Sequence, residues 1–170
     1  HYSPEYILLN NIEFDHADIF QNLEEIYQTF SKLLRLVDDP HKIIANIDDE
    51  GVRTVLNRLN LWDKVYKVSG YGRNKKDADL SLVSIESESE GSTNFTFEEK
   101  DFGSQQVCLS IAGSYNIANA LNSLGLLFCL KKKDSLETSS LDKLILSVKN
   151  FEGVQRPVSY THLTLPTKRI

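Results

Sequence analysis

Tyr6 to Asn10 (YILLN) is a short continuous apolar run, the pattern of a strand buried on both faces. A polar turn follows. Leu23, Ile26, Tyr27, Phe30, Leu33, Leu34 and Val37 then recur at the spacing of an amphipathic helix. Asn22, with Glu25 three residues on, forms its N-cap pair, and Asp38-Asp39-Pro40 ends it. Ile43 to Ile47 (IIANI) predicts a second buried strand. Asp48-Asp49-Glu50 opens a second helix with carboxylates at its positive end, and Val52, Val55, Leu56 and Leu59 form its apolar face. Lys64 to Ser69 (KVYKVS) predicts a third strand, followed by a glycine-rich basic loop, GYGRNKK. Strands and helices alternating over short links specify a parallel α/β sheet.

The period then changes. Leu80, Leu82 and Ile85, then Phe95 and Phe97, then Val107, Leu109 and Ile111 follow a mostly two-residue alternation. Polar turns at Glu90-Gly91-Ser92 and Asp101-Phe102-Gly103 separate them, which predicts an antiparallel meander with one wet face. Ser114 is placed to cap a helix from about 115 to 130, with Ile117, Leu121, Leu124 and Phe128 turned inward. Gly125 within it implies close packing. A KKKDSLETSS loop follows, its lysines forming a solvated helix end, and then a helix with Leu141, Leu144, Ile145 and Val148. The expected fold class is α/β: a mostly parallel sheet flanked by helices, with an antiparallel strand meander.

Composition narrows the function classes. A chain of 170 residues allows one domain. A net charge of −5 argues against a dedicated nucleic-acid or anionic-membrane partner, which calls for a basic face. No apolar run is long enough to span a bilayer, and no signal pattern opens the chain, so a cytoplasmic location is expected. Cys108 and Cys129 lie in apolar runs and are expected to be buried, reduced thiols. The chain has no methionine and begins His1-Tyr2-Ser3-Pro4, as a piece of something longer would. From Val158 it reads VSYTHLTLPT and then KRI, which looks like a translated sequencing adapter and is set aside from fold reasoning.

Several catalytic signatures are missing from these residues. No Gly-Lys pair exists, hence no P-loop. Gly70-Tyr71-Gly72 is followed by Lys75 where a dinucleotide fingerprint needs glycine. There is no Cys-x-x-Cys and no Gly-x-Ser-x-Gly elbow. The remaining polar clusters sit at predicted element ends. Asn11, Glu13, Asp15, His16 and Asp18 follow the first strand, at the edge where α/β sheets bind ligands. They form part of a site, or Asp15 and Asp18 cap the next helix and His16 is a surface residue. Asn116 and Asn119 share one face of a helix start, and a carboxamide matches the donor–acceptor edge of adenine. The other reading is that they bond their own backbone. Asn46, Asp48 and Asp49 read as helix capping. Phe151, Gly153 and Arg156 form a turn after the last helix.

Together these clusters resemble the Mur ligase family of ATP-dependent amide ligases. Asn11…Asp15-His16 is similar to the family's N-x-x-x-D-H motif. Gly113-Ser114-Tyr115-Asn116…Asn119-Ala120-Leu121 is similar to G-x-H-N-x-x-N, with Tyr115 where the family often has His and Ser114 where it often has Arg. Phe151-Glu152-Gly153-Val154-Gln155-Arg156 is similar to F-x-G-V-x-R-R up to Pro157. The resemblance covers residues 1–156. It implies a partial central ATP-binding domain over 1–152, the start of a linker to a further domain over 153–157, and an adapter scar over 158–170. It also implies ATP and Mg²⁺. His16 would be a metal ligand, Asn116, Asn119 and Arg156 would bind ATP, and Asn11 and Asp15 would aim His16. The string HYSPEYILLNNIEFDHADIF resembles the branch that joins UDP-N-acetylmuramate to the tripeptide L-Ala-γ-D-Glu-meso-diaminopimelate through an acyl phosphate. The alternatives are the branch that takes L-alanine, and a non-catalytic nucleotide-binding α/β module. Since the P-loop and both substrate domains would lie outside these residues, the chain alone is expected to be inactive.

Overall fold

The computed structural model describes residues 4–14, 20–89, 91–134, 143, 145 and 146. Its described residues form one six-stranded sheet in sequential order: β1 (Ile7–Leu9), β2 (Ile43–Asn46), β3 (Tyr66–Ser69), β4 (Leu80–Ser89), β5 (Ser92–Glu99) and β6 (Gly103–Leu109). β1 to β4 pair in parallel, and β4, β5 and β6 pair antiparallel. The mixed α/β sheet expected from the two hydrophobic periods is the observed one.

Two crossovers running in one direction along the sheet put both crossover helices on one face. There α1 (Leu23–Leu34) and α2 (Glu50–Arg58) bury Ile26, Leu34, Val52, Val55 and Leu56 against Ile7, Leu9, Ile43 and Ala45. The other face is covered by α3 (Ser114–Asp134), where Ile117, Leu121, Leu124 and Phe128 pack on Ile44, Val68, Phe95, Phe97, Val107 and Leu109. The runs ILL and IIAN are apolar throughout because adjacent residues serve two different cores. Ile43 and Ala45 face one, and Ile44 faces the other.

Three boundaries differ from the periodicity. The first helix ends at Leu34, before Asp38-Asp39-Pro40. The amides of Leu36 and Val37 bond back only three residues, to Leu33 and Leu34, and this tighter winding carries Val37 into the core from outside the helix. Asp39 instead caps a single 3₁₀ turn, Pro40–Lys42. Ser114 is the first helical residue rather than the cap, and the amide of Ile117 bonds to the Gly113 carbonyl. α3 continues through Lys131, Lys132 and Lys133 to Asp134, which moves the expected loop start beyond the lysines.

Gly125 is packed as expected: a Cβ there would lie 2.9 Å from Val68 Cγ2 and 3.1 Å from Ile44 Cγ2. The meander departs in two places. Ile85 pairs opposite the buried Phe95 yet is 43% exposed. β3 pairs with β4 only at Leu80 and Ser81; beyond them the loop after β3 takes over, with Lys75 Nζ donating to the Val83 carbonyl at 2.7 Å. Cys108 is exposed, because the alternation of β6 turns it opposite to Val107 and Leu109; Cys129 is partly buried, and neither cysteine is in a disulfide. From the expected last helix, Lys143, Ile145 and Leu146 are described as helical, with Ile145 in the core. Leu141, Leu144, Val148 and the tail 158–170 lie outside the described residues.

Candidate functional site

Parallel strands end at a common edge, and there the backbone leaves a crevice. At the carboxyl ends of β1, β2 and β3 a cavity of about 340 Å³ is bounded by Asn10 and Asn11, by Asn46, Asp48 and Asp49, and by Tyr71 and Arg73. Ala118, Asn119 and Asn122 of α3 form its remaining wall. Ten residues distant in sequence thus meet because three short strands stop in register beneath one helix.

The walls are tied by directional bonds. Asn46 Nδ2 donates to the Asn10 carbonyl at 2.9 Å, and its Oδ1 accepts from the Asp48 amide at 3.2 Å. Asn122 Nδ2 donates to Asn10 Oδ1 at 3.0 Å, linking α3 to the end of β1. Asp49 Oδ1 accepts from the Val52 amide at 2.8 Å, so it caps α2 as expected, and also from the Ile12 amide at 3.2 Å. The chain after β1 therefore rests on the start of α2. A Cβ at Gly51 would fall 2.2 Å from the Ile12 carbonyl oxygen, so this approach requires glycine.

Asp48 does not cap the helix, contrary to the reading of Asn46, Asp48 and Asp49 as one capping group. Its buried carboxylate is the hub of the following glycine-rich loop. Oδ1 accepts from Ser69 Oγ at 2.8 Å and from the Asn74 amide and side chain at 3.1 and 3.0 Å, and Oδ2 accepts from the Tyr71 amide at 2.7 Å. With those bonds made, the loop holds Tyr71 and Arg73 at the cavity mouth, the guanidinium 5.1 Å from the ring centroid.

Of the residues expected to bind ATP or metal or to aim a metal ligand, Asn11 and Asn119 line this one cavity, together with Asn46, Asp48 and Asp49 from the cluster read as capping. Asn11 Nδ2 also donates to Glu13 Oε1 at 2.7 Å. Asn116 sits on the first turn of α3, where its Nδ2 donates to the Ala112 carbonyl at 2.5 Å, the local backbone bond that was the alternative reading. Asp15, His16 and Arg156 lie outside the described residues. Sequence reasoning passed over Asn10, Asn122, Tyr71 and Arg73. Extending the Asn116–Asn119 spacing by three more residues reaches Asn122; nothing local in the sequence marks Asn10.

A larger cavity, about 430 Å³, opens at the opposite edge of the sheet, among Tyr6, Lys42, Lys67, Asp79 and Lys100. Four of its charged groups take part in contacts of the fold. Asp79 pairs with the Lys100 ammonium and accepts from the Lys67 amide, Lys42 reaches Glu5 at 3.5 Å, and Lys67 lies over Trp62. The smaller, carboxamide-walled cavity is the one placed for ligand chemistry. Among the described residues, no three His, Cys, Asp or Glu side chains gather as a metal site, and no helix is long and apolar enough to cross a membrane.

A six-stranded mixed sheet with helices on both faces and a crevice at its parallel strands' carboxyl edge defines an α/β fold of the kind that binds ligands at that edge. The family description "Mur ligase middle domain" matches residues 1–127, and the chain belongs to the Mur ligase family. It is 30% identical over 155 residues to the UDP-N-acetylmuramate–L-alanine ligase of Desulfitobacterium hafniense, covering 91% of this chain and 31% of that protein. Among solved structures it is similar to the UDP-N-acetylmuramate:L-alanyl-γ-D-glutamyl-meso-diaminopimelate ligase of Neisseria meningitides, with 25% identity, a TM-score of 0.66, and 92% and 43% of the two chains covered. The fold is shared with MurF of Acinetobacter baumannii at a TM-score of 0.69 and 18% identity, over 90% of this chain and 30% of that one. The chain spans about a third of the length of the curated relatives it matches.

Proposed function

We propose that the chain is the nucleotide-binding part of an ATP-dependent amide ligase acting on UDP-N-acetylmuramate. The observation that carries this reading is the meeting of Asn11 and Asn119 across one cavity at the carboxyl edge of β1, β2 and β3. Carboxamides offer a donor and an acceptor each, which suits the edge of a neutral base. Arg73 at the mouth supplies a positive charge for phosphate. In this reading Asn116 and Asn119 hold adenine, Arg156 meets the ribose or phosphates, and Asn11 and Asp15 aim His16 at a Mg²⁺ ion. The metal would neutralise the phosphates during transfer to the lactyl carboxylate. The chain's own part is to fix the base and to orient the loop after β1.

For the amine we propose the tripeptide L-Ala-γ-D-Glu-meso-diaminopimelate. Support comes from the string HYSPEYILLNNIEFDHADIF and from the likeness to the Neisseria ligase. L-alanine is the second reading, favoured by the names of the curated relatives. The test is amine-dependent ADP release by the intact protein that carries this chain, with UDP-N-acetylmuramate and either amine. Release with the tripeptide, and its loss in His16→Ala, is the expected result. Release with L-alanine alone selects the second reading, and release with neither overturns both.

A further inference from the structure

The loop after β3 is exposed at its tip and held from beneath by a carboxylate. Asp48 is 8% exposed, and its oxygens accept from the Ser69 hydroxyl, the Tyr71 amide, and the amide and side chain of Asn74. Burying a carboxylate destabilises a fold unless donors surround it. Capping α2 does not require it, since the adjacent Asp49 does that. Two more bonds hold the same loop. Asn74 Nδ2 also donates to the Ile47 carbonyl, and the Gly72 amide donates to the Ser69 carbonyl, both at 3.1 Å. Gly72 has a φ of +67°, and a Cβ there would fall 2.7 Å from the Leu82 carbonyl oxygen. The loop is thus fixed against the ends of β2 and β3 and against β4.

What the fixed loop carries is Arg73, the one basic residue lining the cavity among the described residues. Other cations nearby are taken up by carbonyls, Arg53 by Ile47 and Lys75 by Val83. The Arg73 guanidinium has no hydrogen bond or ion pair among the described residues; its contact is the Tyr71 ring, 5.1 Å from the centroid. Tyr71 is the residue whose amide Asp48 grips, so one carboxylate sets the ring and, through it, the guanidinium. An arginine on a preset loop gives up less conformational freedom on meeting an oxyanion than one on a loose loop. That difference appears as affinity.

We propose that Asp48 is a positioning residue for ligand binding: it fixes the loop after β3 so that the Arg73 guanidinium meets the phosphates of a nucleotide in this cavity. Asp48 itself touches no ligand in this assignment and acts through Arg73. The assignment rests on the nucleotide reading above and adds to it how the cationic contact is held in place.

The experiment is equilibrium binding of ATP and of adenosine to the intact protein carrying this chain, as wild type, Asp48→Asn, Arg73→Leu and the double variant. Asparagine keeps the volume but has a single acceptor oxygen, so its NH2 group faces either the Tyr71 amide or the Ser69 and Asn74 donors. Each single variant is expected to weaken ATP about tenfold, the factor one charge-assisted bond supplies, and to leave adenosine unchanged. The double variant is expected to match Arg73→Leu, because Asp48 then has nothing left to position. Where Asp48→Asn fails to fold, Asn74→Ala takes its place with the same expected effect. It removes the Asn74 side-chain bonds to Asp48 and Ile47 and leaves the buried carboxylate its other donors. Adenosine weakened together with ATP overturns the role of Asp48, by showing a purely structural carboxylate. Unchanged ATP binding in either single variant, or additive losses in the double variant, also overturns it; each of these results leaves the nucleotide reading standing. Binding of neither ligand by wild type overturns the nucleotide reading and this inference with it.

Discussion

Glu99 is the last residue of β5 and is fully buried, on the inner face it shares with Phe95 and Phe97. Strand alternation puts it there; its charge alone would put it outside. What makes burial tolerable is a set of donors from elsewhere. Tyr66 of β3 donates its hydroxyl at 2.8 Å, and the amides of Asp101 and Phe102 donate at 2.6 and 3.0 Å. Burial, and then the adjacent Glu99 carboxylate, push the Tyr66 hydroxyl far above the ordinary tyrosine range. A raised folded pKa means that stability is complete below the unfolded value, about 10, and falls above it as only the unfolded chain loses the proton. Between pH 10 and 11 this one group is expected to lower the unfolding free energy by about 1 kcal/mol. Denaturant melts of wild type and Tyr66→Phe across pH 8 to 11 check it: the phenylalanine variant should show a shallower decline above pH 10, and parallel curves would refute the assignment.

Elements meet here through close backbone approaches that one added methyl would test. Gly125 lies in the middle of a 21-residue helix, where helix propensity favours alanine by about 1 kcal/mol. Packing opposes it. The new Cβ would press on Val68 and Ile44, β-branched side chains that are both fully buried and have little freedom to yield. Gly125→Ala is therefore expected to destabilise by about 1–2 kcal/mol, overpacking outweighing propensity. Thermal unfolding of the variant measures the sign; a rise in melting temperature would mean that α3 can lift off the sheet at no cost. That a glycine in the apolar stripe signals close contact is legible from the sequence. Which side chains it touches is not, because Ile44 and Val68 belong to other strands.

At the scale of the whole molecule, the described residues place a cavity at the sheet's carboxyl edge, while the sequence holds no P-loop to cradle the β- and γ-phosphates. These 170 residues contain no Gly-Lys pair, and phosphoryl transfer depends on such positioning. Purified as it stands, the chain is expected to release no phosphate from ATP above background with UDP-N-acetylmuramate and tripeptide. A colorimetric phosphate assay decides it, and turnover would show that the cradle is built from residues within this chain.

The order of elements was readable because each obeys a local period: two for β5 and β6, 3.6 for α1 and α2, and continuous apolar runs for strands between two cores. The capping aspartate, Asp49, was readable for the same reason, since its partner is three residues away. The family motifs likewise stand in the linear string. The tertiary structure alone decided that Asp48 gathers a loop instead of capping a helix, that Ile85 stays exposed opposite Phe95, and that Asn10 and Asn122, 112 residues apart, share a bond at the cavity. Those outcomes depend on which atoms arrive from distant segments to satisfy or cover a group. That is settled by how the sheet and helices pack together, and no local period encodes it.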